Sequence, residues 1–240
     1  MRRIRVNYHN HTVFSDGSYL PGVIAEEALR TGMDAIGITD HCFSGGKLGP
    51  NNPSQVKRYI EAVKDVRDTY EGRIRVATGM EVIFGPNMAN RGIPREICSR
   101  LDFILFEYVG LYRGFGLDEL VSIRKQFDCR IGLAHTDVDV AFESVGRERL
   151  VDILEGADIF IELCPSLRNM RVMVDPADGK TIHTAPPYRC SPGFYRLLKG
   201  RDIGLTIGTD THEDISDVCN IGDAVDFIDQ IGLWENVIEI

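Results

Sequence analysis

Short runs rich in β-branched and other apolar residues alternate along this chain with longer segments in which apolar residues recur at helical spacing. The runs at 4–8, 35–39, 74–77, 103–106, 131–134, 159–163 and 205–207 predict seven strands. Periodic segments at 21–31, 53–70, 117–126, 147–154, 192–199 and 224–231 predict helices between them. Three of these open on Pro21, Pro53 and Pro192, a residue that loses no intrahelical hydrogen bond in a first turn. Strands separated by helices imply βαβ units and a parallel sheet. Residues 165–191 carry Pro165, Pro176, Pro186 and Pro187 with little periodicity, which predicts a long loop near the mouth of the sheet, a place where loops are often functional. No internal repeat, low-complexity tract or linker divides the chain, so one domain over 1–240 is expected.

Composition narrows the picture. With 240 residues and 43% hydrophobic content the chain can bury one substantial core, a size typical of a single α/β barrel. Lys and Arg number 27 against 36 Asp and Glu, a net charge of −9, which argues against a protein that grips nucleic acid through a broad basic face. That balance leaves room for a basic pocket, or for metal ions offsetting carboxylates locally. The six cysteines are scattered without a CxxC pair, which fits reduced thiols in the cytoplasm. The first residues lead straight into a strand instead of an apolar signal core, and no stretch approaches the ~20 apolar residues of a membrane span. A soluble, unprocessed protein with no membrane partner is expected.

The histidines carry the chemical signal. His9 and His11 follow the first predicted strand, His41 the second, His135 the fifth and His212 the seventh, while His183 lies in the long loop. Asp16, Asp40, Glu81, Glu107 and Asp210 fall in the same kind of position, and in a parallel barrel those strand ends converge on one face. A single such imidazole is most simply a satisfied half-buried group. Five imidazoles gathered with several carboxylates would repel and desolvate one another unless a cation sat among them. His9 and His11, two residues apart in extended chain, share a face and can grip one ion together. Glu81 can bridge two ions through its two oxygens, and Asp210 with His212 repeats the same-face spacing. Mixed nitrogen and oxygen donors suit Zn, Mn or Fe better than Ca, and closely spaced ions of this kind serve phosphoryl transfer.

Taken together, His9-x-His11 with Ser15-Asp16-Gly17, Ile38-Thr39-Asp40-His41, Gly79-Met80-Glu81, Ala134-His135 and Gly208-Thr209-Asp210-Thr211-His212 resemble the PHP family of polymerase and histidinol phosphatase domains, in family order across nearly the whole chain. The resemblance implies a distorted (β/α)7 TIM-like barrel with parallel strands and a multinuclear metal site of a phosphoesterase. It implies one ion on His9, His11, Glu81 and Asp210, a second shared by Glu81 and His135, and a third on Asp16, His41 and His212. Glu81, His135 and Asp210 are the expected catalytic residues, acting with a metal-activated water. The chain departs from the family after the fourth strand, where a metal-binding His is usual and Glu107 stands instead, with Tyr108 the weaker candidate ligand. Two or three divalent ions (Zn, Mn or Fe) are therefore the expected cofactors. Cys164 reads as a packed thiol more readily than as a soft ligand.

A phosphate ester also needs cationic contacts, for which Arg168 and Arg171 in the long loop, Lys47 in the Gly-rich loop and Arg113 are the candidates, Arg168 first. His183 either protonates a leaving group or is loop surface, with surface favoured. Asp40, beside His41, reads as a residue that orients a ligand. The substrate expected is a small phosphomonoester such as histidinol phosphate or a nucleotide. A 3′ to 5′ exonuclease or phosphodiesterase is the first alternative, and an amidohydrolase-like C–N hydrolase, consistent with Glu107 and Asp210, is the second. A non-catalytic metal-stabilised scaffold is the third. The sequence leaves the oligomeric state open.

Overall fold

A strand buried on both faces must be apolar at nearly every position, because helices cover one side and the barrel interior the other. The runs at 103–107 and 159–163 satisfy this: Phe103–Glu107 and Ile159–Leu163 are buried along their whole length. In the computed structural model, residues 3–44, 48–86, 92–166, 171–174 and 181–240 are described, with backbone alone for 171–174 and 181–184.

One parallel sheet holds β1 (Val6–Asn7), β2 (Ala35–Ile38) and β3 (Arg75–Thr78) in that order. The other holds β4 (Glu81–Ile83), β5 (Phe103–Glu107), β6 (Arg130–Leu133), β7 (Ile159–Leu163) and β10 (Leu205–Ile207), ordered β10-β7-β6-β5-β4 and also parallel. The third predicted strand, 74–77, is present as β3 and pairs with β2, while β4, a short strand beyond Gly79 and Met80 that was not predicted, pairs with β5. At the other seam, Tyr8 N donates to Ile207 O at 2.8 Å and His11 N to Thr211 O at 2.9 Å, joining the chain beyond β1 to the chain at and beyond β10. Seven strand positions therefore succeed one another around a distorted α/β barrel, as expected.

The principal helices are Pro21–Arg30, Pro53–Thr69, Leu117–Arg124, Arg147–Gly156, Pro192–Arg196 and Gly222–Ile231. The fifth stops short of residue 199 because the chain turns through Gly200 at φ 78°, with Arg201 N donating to Leu198 O at 3.0 Å. Helical turns at Arg95–Cys98, Val138–Ala141 and Pro187–Cys190 are too short to leave a periodic signal. No helix among the described residues is long and apolar enough to cross a membrane.

The expectation of a structureless loop over 165–191 is corrected. Two strands, β8 (Arg171–Val174) and β9 (Thr181–Ala185), pair antiparallel there, Met173 opposite His183, and Pro187–Cys190 forms a helical turn. The prolines around them masked two short β-branched runs. Arg171 and His183 therefore sit in strands. Arg168 and Lys47 lie outside the described residues.

At the heart of the barrel, Tyr8 meets Phe103 edge to face with ring centroids 5.9 Å apart, and Phe103 meets Phe160 at 6.3 Å. Room for these rings comes from glycines on neighbouring strands: a Cβ on Gly79 would run into the Phe103 ring and come within 2.7 Å of Thr39 Cγ2. Gly79→Ala is expected to lower stability by about 1–3 kcal/mol through overpacking, read from urea unfolding; a midpoint equal to that of the parent chain would show that the ring moves aside freely.

Candidate metal centre

Because all the barrel strands run parallel, the segments leaving their C-terminal ends gather on one face. The segment after β1 is fixed by two buried side chains. Asn7 Oδ1 accepts from His9 N and Thr209 N, each at 3.1 Å, while its amide donates to Thr209 Oγ1 and to Val218 O. Asp40 accepts from Thr12 N (2.8 Å), Thr12 Oγ1 (2.7 Å), Ser15 N (3.1 Å) and Ser15 Oγ (2.6 Å). Asp40 therefore positions the loop that carries Asp16. Gly17 belongs to the same turn, where a Cβ would collide with the carbonyl of His11.

Glu81 stands at the centre. Its Oε2 lies 3.4 Å from His9 Nε2, 3.2 Å from His11 Nε2 and 3.2 Å from His41 Nδ1, and its Oε1 lies 3.0 Å from His135 Nε2. Asp210 Oδ1 completes a first cluster, 3.5 Å from His9 Nε2 and 3.3 Å from His11 Nε2, with the two imidazole nitrogens 3.0 Å apart. Donor atoms about 2.0–2.2 Å from a tetrahedral centre stand about 3.3–3.6 Å from one another; the separations of 3.4, 3.5 and 3.3 Å match that spacing, and those of 3.2 and 3.0 Å are somewhat shorter. A second cluster joins His11, Asp16, His41 and His212, with Asp16 Oδ1 at 3.4 Å from His212 Nε2 and 3.5 Å from His11 Nδ1. A third joins His41, Glu81 and Glu107, whose Oε1 is 3.4 Å from His41 Nδ1.

Burial and charge are tightly coupled in the clusters. Burial by itself makes His9 and His11 poorer bases, yet the carboxylates overcome it: Glu162 and Glu81 hold His9 well above the ordinary imidazole value, and Asp210 and Glu81 raise His11 to about 9. His135 is raised in the same way by Glu81. Burial likewise works against charge on Glu81 and Asp210, and the surrounding imidazoles nevertheless hold both below the usual carboxylate range. Protons are poor substitutes for metal here, because two N–H groups facing each other across 3.0 Å between His9 and His11 would repel. His41 Nδ1 is buried with no hydrogen-bond partner among the described residues. The donor set and its spacing fit divalent ions bound by His9, His11, Asp16, His41, Glu81, Asp210 and His212.

Several sequence-picked residues take positions that motif reading left open. His135 meets Glu81 Oε1 but belongs to none of the three clusters, and Glu107 faces His41 rather than His135. Cys164 is buried and in no disulfide. His135, Asp210 and Tyr108 all have positive φ, at 33°, 53° and 58°, a strain commonly stored where side chains must point at a site. Tyr108 is 48% exposed, its ring edge-on to His135 at 6.5 Å. A cleft of about 220 Å³ adjoins His212 and is lined by Ser166, Thr209, Glu213, Asp214, Asp217 and Asn220. A larger cleft, about 1030 Å³, lies away from this chemistry, beside the start of β3 and the chain's last residues.

Glu162 is the residue that motif reading missed. It is buried on β7; Oε1 meets His9 Nδ1 at 2.9 Å and Oε2 accepts from His135 N at 2.8 Å. One acid in the apolar run Ile159–Leu163 was the available signal. By fixing the His9 tautomer, Glu162 turns Nε2 toward the first cluster. Glu162→Gln is expected to weaken metal binding about 10- to 100-fold with the fold intact; competition against a chromophoric chelator measures this, and an unchanged affinity would leave Glu162 a packing residue.

The backbone resembles a histidinol phosphate phosphatase from Lactococcus lactis, solved with zinc, L-histidinol and phosphate, at TM-score 0.63 and 17% identity, over 95% of this chain and 94% of that one. A putative histidinol phosphatase from Listeria monocytogenes follows at TM-score 0.56 and 15% identity, over 89% and 97%. At these identities the likeness concerns the fold. No curated protein sequence matches the chain. The PHP domain model matches residues 7–166, which include every cluster residue except Asp210 and His212, and the chain belongs to the PHP domain family.

Proposed function

We propose that this chain is a metal-dependent phosphoesterase that hydrolyses a small phosphomonoester. The observation that carries this reading is Glu81, whose two carboxylate oxygens face different sets of imidazoles, the arrangement that closely spaced ions require. Divalent ions bound there supply Lewis acidity and a nucleophilic water near neutral pH.

The protein's own groups do the rest. Glu162 holds His9 to one tautomer, Asp40 holds the Asp16 loop, and Asn7 locks the segment after β1 to the one that carries Asp210. His135, bent into left-handed backbone beside Glu81, stands at the open side next to exposed Tyr108, where a substrate can approach. Tyr108, Leu111, Tyr112 and Val140 are large exposed apolar residues in the segments after β5 and β6, and they suit the organic part of a small ester better than a polyanionic nucleic acid. A histidinol-phosphate-like substrate accords with the fold likeness, and a nucleotide is the other small phosphomonoester in view. Arg168, Arg171, Lys47 and His183 remain the candidates for phosphate contact. The same reading takes 1–240 as one domain, cytoplasmic, with Zn, Mn or Fe as the cofactor; retention of the clusters speaks against a mere scaffold.

Asp210→Ala and His9→Ala are each expected to reduce chelator-sensitive hydrolysis of p-nitrophenyl phosphate to background while circular dichroism stays unchanged. Undiminished turnover in either variant would remove the metal-centre reading. Arg168→Ala is expected to raise KM several-fold with kcat retained, and an unaltered KM would move the phosphate contact elsewhere.

A further inference from the structure

The three clusters differ in donor chemistry. His9, His11, Glu81 and Asp210 offer two nitrogens with two carboxylates; His11, Asp16, His41 and His212 offer three nitrogens with one; His41, Glu81 and Glu107 offer one nitrogen with two carboxylates. We propose that the His41–Glu81–Glu107 cluster is a separate, oxygen-rich cation position that favours a harder ion such as Mn²⁺, so that the loaded protein carries two kinds of divalent metal. This rests on the metal-centre reading above and adds to it a division of labour among the positions.

The argument starts from His41. Its Nδ1 points between Glu81 Oε2 at 3.2 Å and Glu107 Oε1 at 3.4 Å, yet it makes no hydrogen bond to either. Its side chain is 10% exposed, so no bulk water compensates. If Nδ1 carries a proton, a buried donor is wasted beside two acceptors; if it carries a lone pair, that pair faces two anionic oxygens. Either state is costly in a buried site. A cation held jointly by the three atoms removes both costs. The opposite nitrogen, Nε2, lies 3.8 Å from Asp16 Oδ2. A neutral imidazole has one lone pair to donate, so His41 serves either the Asp16 cluster or the Glu107 cluster unless it loses its second proton. His11 Nε2 belongs with Glu81 and Asp210, and its Nδ1 faces Asp16 at 3.5 Å, so it is divided in the same manner.

Metal preference follows from this sharing. Zinc binds more tightly than manganese to a given nitrogen and oxygen donor set, but imidazole favours zinc whereas carboxylate and water suit manganese. The position with two carboxylates and one contested imidazole is therefore where zinc's advantage is smallest. Buried Glu107, ending β5 with its carboxylate turned toward His41, sets that preference.

The test equilibrates the metal-free protein with limiting zinc and excess manganese, removes loose ions by gel filtration, and measures zinc by elemental mass spectrometry and bound manganese by electron paramagnetic resonance. The parent chain is expected to retain both metals, with electron spin echo modulation showing one imidazole nitrogen on manganese. Glu107→His is expected to lower the manganese-to-zinc ratio by roughly tenfold or more. The near-isosteric Glu107→Gln, which preserves packing, is expected to lose manganese while keeping zinc; thermal melts of the metal-free variants verify folding. Zinc bound without manganese in the parent chain, or the same ratio in parent and Glu107→His, would overturn this proposal alone. Retention of neither metal would overturn it together with the metal-centre reading.

Discussion

The structure turns on keeping one ionised carboxylate, Glu81, buried among four imidazoles. His9, His11 and His41 converge on one of its oxygens and His135 on the other. Burying a charge is tolerable only when it is paired and fully bonded, so the surrounding chain must be rigid before the site can exist. Asn7, Asp40 and Glu162 supply that rigidity. Each is a buried polar side chain whose hydrogen bonds go to the segments bearing the clusters.

The same constraint explains the break between β3 and β4. Glu81 N donates to Asp40 O at 3.1 Å and Glu81 O accepts from Cys42 N at 3.0 Å, while Glu81 is also in register with Leu105 on β5. Its backbone is thus held from both sheets at the seam where they meet. Gly79, with no side chain to clash with Phe103, lets the chain pass from one pairing to the other. A feature of barrel packing, an aromatic ring opposite a glycine, thereby determines where the central carboxylate stands.

Much of this was legible in the sequence, and the reasons differ by element. Parallel strands buried on both faces leave continuous apolar runs, so the barrel strands could be read directly, and residues just beyond their ends mark the functional face. His9, His11, Asp16, His41, Glu81, Asp210 and His212 announced themselves by position. What escaped was whatever depends on pairing across the chain. The hairpin of β8 and β9 was hidden among prolines, because local propensity gives no partner. Glu162 looked like an interruption in a core strand until His9 was placed against it. Glu107 stood out as a candidate ligand, but its turn toward His41 instead of His135 is a matter of side-chain direction that spacing alone does not encode.

Elemental mass spectrometry of the purified, folded protein addresses the central claim most directly, since the metal-centre reading requires divalent ions around Glu81. About two to three equivalents of Zn, Mn or Fe per chain are expected, falling sharply in Glu81→Gln. A folded protein that contains no divalent ion and takes none up on addition would contradict the claim.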